Sequence, residues 1–145
     1  MTSPYIAKPN LNLVPDTGFY VVAALKNGYA RSYLLVKGSK FLTYKLYSSE
    51  AILLELQDKL ENKFGFERNQ VVHALQDIRR VVSIVHPTIK LEISRDPDDD
   101  KIIECAVEAK ANIILSFDKD LLDLREYDNI KMVHPRELKY LFPQD

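Results

Sequence analysis

Two acidic clusters, one on each side of a helix, constrain this chain more than any other feature. Ser94-Arg95-Asp96-Pro97-Asp98-Asp99-Asp100-Lys101 opens a run of helical period, and that run leads into Ile113-Ile114-Leu115-Ser116-Phe117-Asp118-Lys119-Asp120. The second segment is a short apolar strand that ends in acid. A helix returning antiparallel to the strands of a parallel sheet starts where those strands finish, so both clusters are expected at one edge. Carboxylates crowded together repel one another unless a cation sits among them, and hard divalent ions such as Mg²⁺ or Mn²⁺ take oxygen ligands. The expectation is an α/β sheet with an acidic, metal-binding edge.

The rest of the chain reads in the same style. Leu11 to Pro15 is a first strand, and Asp16-Thr17 caps a helix carrying Phe19, Val22 and Ala23 that stops at Asn27-Gly28. Tyr29 to Val36 reads as a short second helix, and Phe41 to Tyr47, rich in aromatic residues, as the second strand. Ser48 or Ser49 then caps a helix marked by Ile52, Leu53, Leu56, Leu60 and Phe64. Glu55 lies beside its apolar stripe, roughly 9 Å from Ser49 at ~1.5 Å per residue, and can reach the sheet edge. Glu67 to Arg80 is a further amphipathic helix, Val81 to Val85 a third strand stopped by His86-Pro87, and Thr88 to Ser94 an extended stretch with no assigned partner. A helix over 97–111, a strand over 112–116, a short helix over 118–124, a strand at Lys131 to Val133 and a terminal helix over 135–141 complete the series. Alternating strands and helices predict a mainly parallel sheet with right-handed crossovers. Residues 1–10 read as an irregular lead-in and 11–145 as one domain.

Charge narrows the function. Twenty basic residues against twenty-one acidic ones give a net charge of -1, so attraction for a polyanion has to be local. It requires metal-neutralised carboxylates rimmed by basic residues, for which Arg31, Lys40, Lys45, Arg79, Arg80, Arg95 and Lys119 are available. No apolar run approaches the roughly 18 residues of a membrane span, and the N-terminus lacks a secretory pattern, so a cytoplasmic protein is expected. Cys105, the only cysteine, excludes an intramolecular disulfide and reads as a small core residue. His73, His86 and His134 lack zinc spacing, and neither a glycine-rich phosphate loop nor a Gly-x-Ser-x-Gly elbow is present.

Each acid has a structural explanation to set beside the functional one. Aspartate at a helix N-cap, proline at the first helical position and acids in the first turn start a helix well, which accounts for Asp96, Asp98 and Asp99. Asp16 and Asp118 also stand where caps belong. Asp100 lies a turn into its helix, beyond capping, and reads as the functional acid of its cluster. Asp16 and Asp118 follow two strands, Asp100 opens a helix on the same edge, and Glu55 approaches from another helix, so four acids reach one crevice by independent routes. A phospho-acceptor receiver domain also builds an acidic pocket. It needs an acid pair after its first strand and an aspartate after a central one, where this chain has a lone Asp16 and His86-Pro87.

Asp16-Thr17 after the first strand, Ser49-Glu50-Ala51-Ile52-Leu53-Leu54-Glu55-Leu56, Arg95 to Lys101, and Leu115-Ser116-Phe117-Asp118-Lys119-Asp120-Leu121-Leu122 together resemble the PIN-domain family, in the branch of bacterial type II toxin–antitoxin toxins. The similarity spans about residues 11 to 141. It implies a Rossmann-like, three-layer α/β fold with a mainly parallel sheet. It also implies Mg²⁺- or Mn²⁺-dependent cleavage of single-stranded RNA, restraint by an antitoxin protein, and a homodimer. Carried over, the catalytic and metal-binding acids are Asp16, Glu55, Asp100 and Asp118. Thr17, Ser116, Asp96 and Asp120 support them, Ser116 standing where the family has Thr or Ser. One position departs from the family: Asp16-Thr17-Gly18 replaces the common Asp-Thr-Asn, which keeps a catalytically silent interaction module in view as the alternative.

Overall fold

The computed structural model describes residues 10–25 and 43–137. Strands β1 (Asn10–Pro15), β2 (Thr43–Ser48), β3 (Val82–Ile84), β4 (Ile113–Leu115), β5 (Glu126–Tyr127) and β6 (Ile130–Val133) form one sheet in the order β3-β2-β1-β4-β6-β5. Every neighbouring pair is parallel except β5 with β6. Helices α1 (Thr17–Leu25), α2 (Glu50–Asp58), α3 (Arg68–Val81), α4 (Pro97–Glu108) and α5 (Lys119–Leu124) interleave with the strands. A parallel sheet covered on both faces needs strands that are apolar throughout, and β4 meets that need with Ile113, Ile114 and Leu115 all buried. Leu13 and Val14 of β1 are buried beside it, and Ile52, Leu53, Leu56, Ile102, Ile103 and Ala106 bring the inner faces of α2 and α4 into the same core.

Helix starts follow their capping residues. Ser49 caps α2, its hydroxyl accepting from Ile52 N, and Gln70 returns a side-chain oxygen to Glu67 N ahead of α3. Asp96 caps α4, with Pro97 behind it, and Asp118 caps α5. The chain leaves β1, builds β2 and β3 on one side, and returns to lay β4 on the other side of β1. Sheet order therefore reverses between β1 and β4. Such a reversal parts the connections above the strand ends and opens a crevice there.

Several elements differ from the sequence reading. Helix α4 stops at Glu108 rather than at residue 111, because Lys110 turns into the left-handed region (φ 52°) and Ala111 N closes back on Ala106 O at 2.8 Å. After α2 the chain widens into a π-helical turn, Lys59–Lys63, before Gly65 (φ 68°) ends it. The hairpin strand β5 is additional: Asp128 and Asn129, both at positive φ, form the two-residue turn that folds it onto β6. Thr88 to Ser94 joins no strand of the sheet and is held by side chains of α4 instead. Residues 135–137 form a single 3-10 turn, and the rest of the expected terminal helix lies outside the described residues. The expected helix from Tyr29 to Val36 lies outside them too, together with Arg31 and Lys40.

Candidate active site

At the reversal between β1 and β4 lies a cavity of about 230 Å³ to which four parts of the chain contribute. Asp16, Thr17 and Gly18 come from the junction of β1 with α1, Glu55 and Lys59 from α2 and the turn after it, Asp98, Asp99 and Ile102 from α4, and Phe117 and Asp118 from the segment just after β4. Three of the four expected acids, Asp16, Glu55 and Asp118, are thus brought to one place.

Asp16 is the best-held of them. Its amide donates to Leu115 O at 2.8 Å, tying the end of β1 to β4. Its Oδ1 accepts from Phe19 N at 2.8 Å, which makes it the cap of α1, and its Oδ2 accepts from the Ser116 hydroxyl at 2.5 Å. The Ser116 oxygen in turn accepts from Asp118 N at 2.8 Å. Ser116, fully buried, therefore links the Asp16 carboxyl to the backbone of Asp118. Burial raises the Asp16 carboxyl from 3.8 to about 6 against the lowering effect of Ser116 and Phe19 N, and the Asp118 charge adds to the rise.

The fourth acid differs from the sequence expectation: α4 brings Asp99, not Asp100, to the cavity. The cause is helical phase. Asp99 stands three and four residues before Ile102 and Ile103, so it continues the buried stripe of α4 toward the cavity. Asp100 shares a different line with Glu104 and Glu108, and these three clasp the extended segment. Glu108 Oε1 accepts from Thr88 N and Oγ1, Glu104 Oε2 from Leu91 N at 2.8 Å, and Asp100 Oδ1 from Ile93 N at 3.2 Å and Ser94 N at 2.8 Å. Asp100 is buried because it satisfies backbone amides of its own chain. Asp99 is buried among acids, and its carboxyl rises from 3.8 to about 7, first by desolvation and then by the charges of Asp118, Asp96, Asp16 and Asp120.

Of the other expected residues, Thr17 lines the cavity, and its buried hydroxyl oxygen has no hydrogen-bond partner. Asp96 is a helix cap, Oδ1 accepting from Asp98 N at 2.9 Å, and Asp120 is an exposed partner of Arg95 at 3.1 Å. Neither lines the cavity, but each is hydrogen-bonded to a residue that does, and the charges of both act on Asp99. Arg79 and Arg80 are engaged by Glu50 and Asp77. The sequence reading gave Asp99 to the helix start and assigned no role in the site to Lys59 or Phe117, although the phase of α4 and the Glu55/Lys59 spacing of four residues were visible signals for Asp99 and Lys59. Phe117, 37% exposed, stacks on Phe19 (centroids 6.3 Å apart) and meets the edge-on ring of His134 at 5.1 Å.

The donor set suits a hard cation: carboxylates pushed upward by burial and mutual repulsion, an orphaned hydroxyl, and no soft ligand lining the cavity. The acids share a cavity but do not converge on a point, since among the described residues no three His, Cys, Asp or Glu side chains form a ready metal-binding group.

An acidic crevice at the switch point of a mainly parallel sheet defines the class as a Rossmann-like α/β domain with a carboxylate-lined cavity. A PIN domain family model matches residues 12–120, and the chain belongs to that family. It is 32% identical to the uncharacterized protein MJ1680 of Methanocaldococcus jannaschii over 145 residues, covering 95% of this chain and 90% of that protein. Its fold is similar to that of VapBC2 from Rickettsia felis bound to a DNA fragment from its promoter (TM-score 0.63, 15% identity, 86% of this chain and 98% of that one). It is also similar to VapC20 of Mycobacterium tuberculosis, a toxin cleaving the sarcin-ricin loop (TM-score 0.56, 20% identity, 82% and 98%).

Proposed function

We propose that this chain is a Mg²⁺- or Mn²⁺-dependent endoribonuclease acting on single-stranded RNA, and the toxin of a toxin–antitoxin pair. The observation that carries the reading is the meeting of Asp16, Glu55, Asp99 and Asp118 at the β1/β4 switch point of a PIN domain. When bound, a divalent ion supplies Lewis-acid chemistry, lowering the pKa of water and neutralising phosphate charge. Asp16, Glu55, Asp99 and Asp118 are assigned as its carboxylate ligands, with Thr17 as a further oxygen. Ser116 holds Asp16 and the backbone of Asp118, and Asp96 and Asp120 contribute negative charge near Asp99. The exposed ring of Phe117 offers an unpaired base a stacking surface, which favours single strands over duplex.

The toxin assignment and an antitoxin partner draw on the fold shared with the VapC proteins, and self-association and a cytoplasmic setting are proposed with them. No helix among the described residues is long and apolar enough to cross a membrane. Cleavage of a labelled single-stranded RNA in Mn²⁺, abolished by EDTA and by Asp118→Asn, is the expected result. RNA left intact at every divalent-ion concentration, with no Mn²⁺ heat in calorimetry, would favour the silent module.

A further inference from the structure

Lys59 sits among the cavity's acids with no part in the chemistry assigned so far. It follows Glu55 by one helical turn, where α2 gives way to the π-helical turn, a distortion that often accompanies functional positions. Its ammonium lies 2.9 Å from Glu55 Oε1, and the Glu55 side chain is the deeper of the two, 13% exposed against 38%. The charges of Asp98 and Asp16 also act on it. A carboxylate inside and an ammonium nearer solvent make a pair that can be opened from the mouth of the cavity. The lysine stem has the freedom to turn to a second acceptor without moving the backbone.

We propose that Lys59 is the resident counter-cation of the cavity and its phosphate contact, held by Glu55 until a divalent ion claims that carboxylate and then engaging an oxygen of the RNA backbone. This rests on the metal-dependent ribonuclease reading above. Two effects of opposite sign follow. Lys59 competes with the metal for Glu55 and repels it, so it weakens metal binding. Once displaced, it places a free positive charge beside the site where the substrate phosphate lies, and so strengthens RNA binding.

The test measures both effects on Lys59→Met and Lys59→Arg. Mn²⁺ affinity is read by calorimetry, and affinity for a short oligouridylate by fluorescence anisotropy across a salt series, with Ca²⁺ present in place of Mn²⁺. Lys59→Met is expected to bind Mn²⁺ about threefold to tenfold more tightly and the oligouridylate about tenfold more weakly, its salt slope shallower by about 0.7 for the one lost phosphate contact. Lys59→Arg keeps the charge and stays near wild type in RNA binding. Lys59→Gln repeats the series should methionine disturb the fold. Wild-type protein that binds Mn²⁺ and cleaves RNA, with unchanged Mn²⁺ affinity and salt slope in Lys59→Met, overturns the role of Lys59 alone. Wild-type protein that binds no Mn²⁺ overturns the metal-dependent reading beneath it.

Discussion

Asp99 and Asp100 are neighbours in the sequence with opposite energetic roles, and the difference can be measured. Asp99 is held near 7 in the fold against 3.8 for an unperturbed carboxyl, so between about pH 4 and pH 7 the folded state binds a proton that the unfolded state has released. Stability then falls as pH rises through that window. At about 1.4 kcal/mol per pH unit the full penalty is roughly 4 kcal/mol, and solvent screening at a cavity edge reduces it to about 1–2 kcal/mol. Asp16, raised to about 6, adds a loss of the same sign over a narrower window. Asp99→Asn removes its share. In EDTA at pH 8 it is expected to melt several degrees above wild type, at roughly 3–4 °C per kcal/mol for a chain of this size, and at pH 4 alongside it. Asp100→Ala instead strips the acceptor from Ile93 N and Ser94 N, and costs roughly 1–3 kcal/mol. Thermal unfolding from pH 4 to pH 8, with EDTA and with Mn²⁺, separates the two variants. Mn²⁺ should stabilise Asp100→Ala as it does wild type and leave Asp99→Asn unmoved. The reasoning is refuted if Asp99→Asn follows the wild-type curve throughout, or if Asp100→Ala is the variant that loses the Mn²⁺ response.

Ser116→Ala should cost about 1–3 kcal/mol, since it deletes the donor to Asp16 and leaves Asp118 N without an acceptor. Because the lost bond had lowered the Asp16 carboxyl, Mn²⁺ binding should weaken more at pH 6 than at pH 8, which calorimetry at the two values checks. Gly18 lies in the first turn of α1, and a Cβ there would meet Asp16 Oδ1 at an ordinary 3.5 Å. Gly18→Asn should therefore fold, gain a few tenths of a kcal/mol in helix propensity, and raise RNA cleavage if an amide helps order the site; a fall in melting temperature would count against that packing. Cys105 is fully buried, and desolvation pushes its thiol up to about 12, so it should resist a thiol reagent in native buffer and react at the rate of unfolding in denaturant.

The alternation of strand and helix, the capping residues and the acid that ends each central strand could all be read from the sequence, because each depends on neighbours a few positions away. Asp16 and Asp118 were found in that way: an apolar run followed by acid has one direction and one end, and the topology then carries that end to the switch point. A helix presents its residues on every side, and the choice between them belongs to packing. Within Asp-Pro-Asp-Asp-Asp, capping was the one local signal that told Asp99 from Asp100, and it favoured Asp100. Only the seating of Ile102 and Ile103 in the core turned the first into the cavity and gave the second to the backbone of residues 93 and 94. The extended stretch from Thr88 to Ser94 alternates like a strand, yet the partners of its amides are carboxylates spaced four apart on α4. The short hairpin strand β5 needed β6 beside it before two residues could count as a strand. Local chemistry decided which residues could act, and tertiary packing decided where they point, since the burial that selects one face of a helix is a property of the whole assembled core.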